Sequence, residues 1–224
     1  MPNAEEVIEM LDIEIDKRLQ DLSRPQLIEL AQTLVTNLDK KALSNLISDD
    51  RYFMLTNLVK WLEKKEKDVL LRILNEPREE RDLRQPVRNW LREIGFNTVD
   101  FEVPIPVGGR GRAIDVCGFK KALMGLSTDI RAVELKSDPK RGSIDKAFAQ
   151  AKDNAKGVNY SYVAFSPFVF LKYADVILEK YDDHEEIGLL IVDSLRVIVV
   201  FNSRTYDVYE NDIYNEVKNY MEKR

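Results

Sequence analysis

The sequence predicts a chain in two parts: a small all-α helical bundle over residues 1–74, then an α/β domain over 75–224 whose mixed sheet is flanked by helices. Three observations carry this division. Residues 1–72 contain no glycine and repeat apolar side chains at three- and four-residue steps. Glycines appear only beyond NEPREERD (75–82), where helical periodicity begins to alternate with short β-branched runs. Within those runs, as in IRAVELK (130–136), apolar and polar residues alternate with the period of two that a strand imposes. At 44% hydrophobic and 33% charged residues, the chain has enough apolar side chains for a core and lacks the composition of disorder.

The elements follow in order. Ile8, Leu11, Ile15, Leu19 and Leu22 form one helix face. SRPQ (23–26) reads as the next helix start, with Ser23 as N-cap, Pro25 in the first turn and Gln26 at the capping-box position. Leu27, Leu30, Ala31, Leu34 and Leu38 continue that helix; a short helix around 43–47 and a longer one over 52–74 complete the bundle. In the second part, Leu83, Val87, Trp90, Leu91 and Ile94 mark a helix that stops at Gly95, a residue suited to a left-handed cap. Strands are expected at 98–103, 113–119 and 130–136, the first two joined by PVGGRGR. A helix at 143–156, a strand at 160–166, a helix at 168–180, strands at 187–192 and 196–201, and a tail helix at 212–223 follow.

Composition removes several chemistries. A lone cysteine, Cys117, allows no intrachain disulfide and no thiolate cluster, and reads as a small buried residue. The one histidine, His184, lies in DDHEE and is expected in a solvated loop, so a zinc site of two or three histidines within one chain is excluded. No apolar run approaches the roughly 18–20 residues of a membrane span, and the acidic start MPNAEEVIEML does not resemble a signal peptide, so a cytoplasmic location and no membrane partner are expected. The net charge of −5 is uneven: residues 78–157 carry 16 basic and 12 acidic side chains, against 7 and 12 in 158–224. The locally basic segment is compatible with a phosphate-bearing partner.

The chemistry-bearing residues lie on two of the expected strands. In RAIDVCGF, alternation places Ala113, Asp115 and Cys117 on one face and Ile114 and Val116 on the other. In IRAVELK it places Ala132, Glu134 and Lys136 opposite Val133 and Leu135. If the two polar faces meet across a hairpin, two carboxylates and an ammonium converge. Neighbouring carboxylates repel unless a cation lies between them. All-oxygen donors suit magnesium, beside which a lysine can orient or deprotonate a water, or stabilise developing charge.

Taken in order, ID (114–115), ELK (134–136), Gln150 in KAFAQAKDNAK and the strand YSYVAFS resemble the PD-(D/E)XK superfamily of restriction-endonuclease-like nucleases, over residues 78–200. The resemblance implies a restriction-endonuclease-like mixed sheet and metal-dependent hydrolysis of phosphodiester bonds, with DNA as the expected nucleic acid. By position, Asp115 and Glu134 would hold Mg2+ or Mn2+, with the Leu135 carbonyl as a further ligand. Lys136 would assist the attacking water, and Gln150 would brace the site or touch substrate. Two departures stand out: Ile114 replaces the family proline, and the extra acid often supplied by the first helix can be Glu79, Glu80 or Glu93, with Glu80 preferred because it lies one turn before Arg84.

Arg110 and Arg112 in GGRGR, with Lys140 and Arg141 beyond ELK, are candidate phosphate contacts, although GGRGR reads equally well as a flexible hairpin loop. Arg84, Arg88 and Arg92 form a ridge expected to be a solvated helix face. A homodimer through the bundle is expected, since cutting both strands needs two sites. The rival reading is a catalytically inactive nuclease-fold DNA-binding or scaffold protein whose helical N-terminal part mediates oligomerisation.

Overall fold

The structure, a computed structural model, describes Ser23, Pro25 and residues 79–106, 112–121, 128–137, 141–193, 196–209 and 211–224; the side chains of Arg141 and Leu171 are not among them. The chain divides into two units, one of Glu5–Glu76 and one holding Pro77–Arg224. The bundle expected over 1–74 lies outside the described residues. The second unit is an α/β domain, and its elements are α1 (Glu80–Glu93), β1 (Thr98–Ile105), β2 (Arg112–Lys121), β3 (Thr128–Lys136), α2 (Arg141–Asn154), β4 (Tyr160–Phe165), α3 (Pro167–Asp182), β5 (Gly188–Val192), β6 (Val197–Phe201) and α4 (Asp212–Glu222).

Local chemistry fixes the helix ends. At the start of α1 the Asp82 carboxylate accepts the Glu79 backbone N–H at 3.1 Å. The helix stops where Gly95 adopts φ +95°, and the amides of Gly95 and Phe96 return to the carbonyls of Arg92 and Leu91. Ser166 caps α3 through the Val169 N–H, with Pro167 opening the first turn, and Asn211 caps α4 through the Ile213 N–H.

The six strands lie in the order β1-β2-β3-β4-β5-β6. β1, β2 and β3 pair antiparallel, β3, β4 and β5 pair parallel, and β6 returns antiparallel to β5. Parallel neighbours need crossovers, and α2 and α3 supply them. On one face Leu83, Val87 and Leu91 of α1 pack with Val116, Val133, Leu135, Tyr162 and Leu190. In the other core Cys117, Ile130 and Ala132 pack with Tyr214, Val217 and Met221 of α4.

One strand departs from simple alternation. Ile114 was expected to share a face with Val116, yet Ile114 joins the core of Cys117 and Ala132 while Val116 packs under α1. The partner strand makes the same change: Phe101 borders the α1 core and Val103 belongs to the other. Between them Glu102 has φ +54°, the one non-glycine residue with positive φ among the described residues. A left-handed residue rotates the strand about its own axis, which breaks the period of two on both strands of the pair.

His184 also differs from expectation. It lies in a turn, as expected, but is half-buried: its ring stacks on Phe148 with centroids 5.8 Å apart, and its Nδ1 lies 3.9 Å from the Glu186 carboxylate. Cys117 is fully buried, and burial, reinforced by the Asp100 charge, pushes its thiol far above the usual range. That agrees with an inert core residue.

Candidate active site where two strands part

The β2–β3 ladder runs from Lys121↔Thr128 to Val116↔Val133 and stops there. β2 goes on pairing with β1 as far as Arg112, and β3 with β4 as far as Lys136. Two strands held by different outer neighbours therefore separate, and Asp115 and Glu134 are the first residues beyond the separation. The Asp115 Oδ2 reaches across and accepts the Leu135 N–H at 2.8 Å, so a side chain meets a strand donor just past the end of the ladder.

Glu134 is 1% exposed. Its Oε1 accepts from the Lys136 Nζ at 3.2 Å, while its Oε2 is buried and has no hydrogen-bond partner among the described residues. The Lys136 ammonium, on a side chain 12% exposed, also donates to Glu80 Oε1 at 3.2 Å and to the Leu135 carbonyl at 2.9 Å. Asp115, Glu134 and Lys136 thus converge, and Glu80 joins them from the first turn of α1. Glu79 instead pairs with Arg81 at 2.7 Å.

The electrostatics follow from this crowding. Burial, then the Asp115 charge, pushes the Glu134 carboxyl up to about 7, with Lys136 opposing and Glu80 adding to the rise. Burial alone would lower the Lys136 ammonium, but the charges of Glu134, Glu80 and Asp115 outweigh it and hold the group above its ordinary value. Lys136 therefore carries its proton at neutral pH while these carboxylates surround it.

The donor set suits a hard divalent cation in kind: carboxylate oxygens, a strand carbonyl, and the Glu134 Oε2, a buried acceptor whose lone pairs are unused. Among the described residues, however, no three His, Cys, Asp or Glu side chains stand close enough to enclose a metal ion. The charge that the carboxylates surround is the Lys136 ammonium.

The remaining expected residues are placed less centrally. Gln150 lies in α2, half-buried, and no hydrogen bond among the described residues joins it to Asp115, Glu134 or Lys136. Arg112 is tied to Asp153 of α2 in an ion pair, so its guanidinium is already engaged. Arg110 and Lys140 lie outside the described residues, and Arg141 opens α2 with its side chain outside them. Sequence reasoning missed Glu102. The only signal for it is positional: it faces Asp115 across the β1–β2 pair, between Phe101↔Val116 and Val103↔Ile114.

No family model matches this chain, and no curated protein matches it. Among solved structures it is similar to a protein of unknown function from Silicibacter pomeroyi, at 17% identity, covering 64% of this chain and 84% of that one, with a TM-score of 0.45. No helix among the described residues is long and apolar enough to cross a membrane.

Proposed function

We propose that the Pro77–Arg224 unit is a restriction-endonuclease-like, metal-dependent nuclease that hydrolyses phosphodiester bonds in DNA. The observation that carries this reading is the convergence of Asp115, Glu134 and Lys136 where β2 and β3 part, with one Glu134 oxygen buried and unpartnered. Asp115, Glu134 and the Leu135 carbonyl would hold Mg2+ or Mn2+, which when bound polarises the scissile phosphate and acidifies a water.

The chain's own contributions are distinct. Asp115 spends Oδ2 on Leu135 and so fixes the height of that residue's backbone beside Glu134. Glu134 supplies a carboxyl whose anion burial and the Asp115 charge disfavour, so that a bound cation would stabilise its charged form. Lys136, whose proton the surrounding carboxylates favour, is suited to orient a nucleophile by donating a hydrogen bond and to balance negative charge at the phosphorus. Glu80 sets the position of that ammonium from a second direction.

Incubating supercoiled plasmid with the protein, with and without magnesium, tests the reading. Nicking that needs the metal and disappears in Asp115→Ala and Lys136→Ala is expected; equal cutting by parent and variants refutes these roles. One observation favours a second reading. Lys136 already neutralises Glu134 and Glu80, as suits a non-cleaving DNA-binding domain, in which case plasmid is bound and stays intact at every magnesium concentration.

A further inference from the structure

Of the ridge of Arg84, Arg88 and Arg92, Arg92 is exposed as expected, whereas Arg84 and Arg88 are half-buried. Both guanidiniums lie over the Phe101 ring, 5.9 and 5.6 Å from its centroid. The Nε atoms of both are buried without hydrogen-bond partners. Arg84 donates to Glu102 at 2.6 Å, and its side chain is 28% exposed against 65% for Glu102. Arg88 has no carboxylate partner among the described residues. Glu80, Arg84 and Arg88 follow one another at steps of four along α1, about 6 Å per step on a helix, so the ridge begins at the residue that touches Lys136.

We infer that Arg84, Arg88 and Phe101 form a phosphate-binding track that holds the nucleic-acid backbone beside the cluster of Asp115, Glu134 and Lys136. The inference rests on the proposed nucleic-acid substrate and adds where the strand runs. Phe101 acts as a platform: cation–π contact restrains two long side chains, so less rotamer freedom is lost when a phosphate binds. Arg88 is the charge of the track that no carboxylate compensates among the described residues. Glu102 is the track's internal competitor, an exposed carboxylate that occupies Arg84 until a phosphate displaces it. Its left-handed backbone is part of the same device, since φ +54° is a conformation a glutamate adopts only when its surroundings impose it.

The test is binding of a fluorescein-labelled oligodeoxynucleotide, single-stranded and duplex, to the full chain in EDTA at several salt concentrations. Arg88→Gln is expected to weaken binding roughly tenfold, as loss of a charged hydrogen bond does, and to lower the salt slope by about one. Phe101→Leu, which keeps apolar bulk but removes the ring, is expected to weaken binding less. Glu102→Gln is expected to tighten it about two- to fivefold, the effect of removing an exposed ion pair. Opposite signs at neighbouring positions are not produced by misfolding. Unchanged affinity and slope in Arg88→Gln, or no binding of either oligonucleotide by the parent, overturns the track. Binding that responds as expected in a protein that never nicks DNA keeps the track and removes the nuclease.

Discussion

Replacing Glu134 by glutamine in metal-free protein is expected to stabilise it, and to do so more as pH rises. The side chain is 1% exposed, so its desolvation is hardly relieved by water. Its carboxyl titrates at 4.5 in the unfolded chain and at about 7 in the fold, because burial and the Asp115 charge disfavour the anion. The folded state therefore holds a proton that the unfolded state releases between those values. The contribution to stability is full below pH 4.5 and is lost as pH rises towards 7. At about 1.4 kcal/mol for each pH unit of separation, the loss approaches roughly 3 kcal/mol, most of it between pH 5 and 8. Glutamine has nearly the same shape and no charge to desolvate. Thermal melts in EDTA should show Glu134→Gln close to the parent at pH 5 and several degrees above it at pH 8, at about 2–4 °C per kcal/mol for a chain of this size. Magnesium should then raise the parent's melting temperature at pH 8 and leave the variant's unchanged. A difference between variant and parent that stays flat from pH 5 to 8 would show that the carboxyl is not held up in this way.

Three further outcomes are expected. Asp115→Ala strips the Leu135 N–H of its acceptor and should cost about 1–3 kcal/mol in chemical denaturation, whereas Asp115→Asn keeps an acceptor oxygen and should melt near the parent while losing nicking. Lys136→Met removes the ammonium between Glu134 and Glu80; it should destabilise by about 3 kcal/mol at pH 8, the low end for breaking a buried pair because Glu80 is 41% exposed, and by much less at pH 5, where Glu134 is protonated. Gly188→Ala would drive a methyl group into the Tyr162 ring and to 2.7 Å from the Ser203 nitrogen, so a loss of about 3 kcal/mol is expected, read as a lower urea midpoint; a neutral result would mean that β5 shifts freely against β4.

The strands and helices of the second unit were legible as elements because their periods hold over most of their length, the β1–β2 pair being the exception. Gly95 sits where the backbone turns left-handed, as its residue type announces, and in β3 Ile130 and Ala132 belong to one core while Val133 and Leu135 belong to the other. The faces of β2 were not legible, because alternation was carried through a twist that no residue type announces: a glutamate at φ +54° looks in sequence like any other strand glutamate. The meeting of Asp115 with Glu134 was legible from hairpin pairing alone, while Gln150 could be assigned to a helix but not to a contact. Arg84 and Arg88 were recognised as a ridge from their spacing. That the ridge lies over Phe101 depends on which strand runs beneath α1, a long-range fact that periodicity does not contain.

The parting of β2 from β3 and the twist at Glu102 have a common consequence. A regular antiparallel pair would extend its ladder to Asp115 and Glu134, and every backbone donor there would be met by the neighbouring strand. β1 and β2 rotate together at Glu102 and Asp115, the β2–β3 ladder ends at the same level, and the buried Leu135 N–H left without a strand partner there is met by a carboxylate instead. That substitution brings Asp115 to its place beside Glu134. The twist also turns Glu102 towards Arg84, so one irregular residue links the acidic cluster to the basic ridge on α1. Glu102→Gly separates the two links, since glycine accepts positive φ without strain and keeps the twist: it is expected to free Arg84 and tighten oligonucleotide binding while the pH response of Glu134 stays as in the parent. If the pH response disappears with Glu102, the glutamate itself, and not the backbone conformation it adopts, holds the carboxylates together.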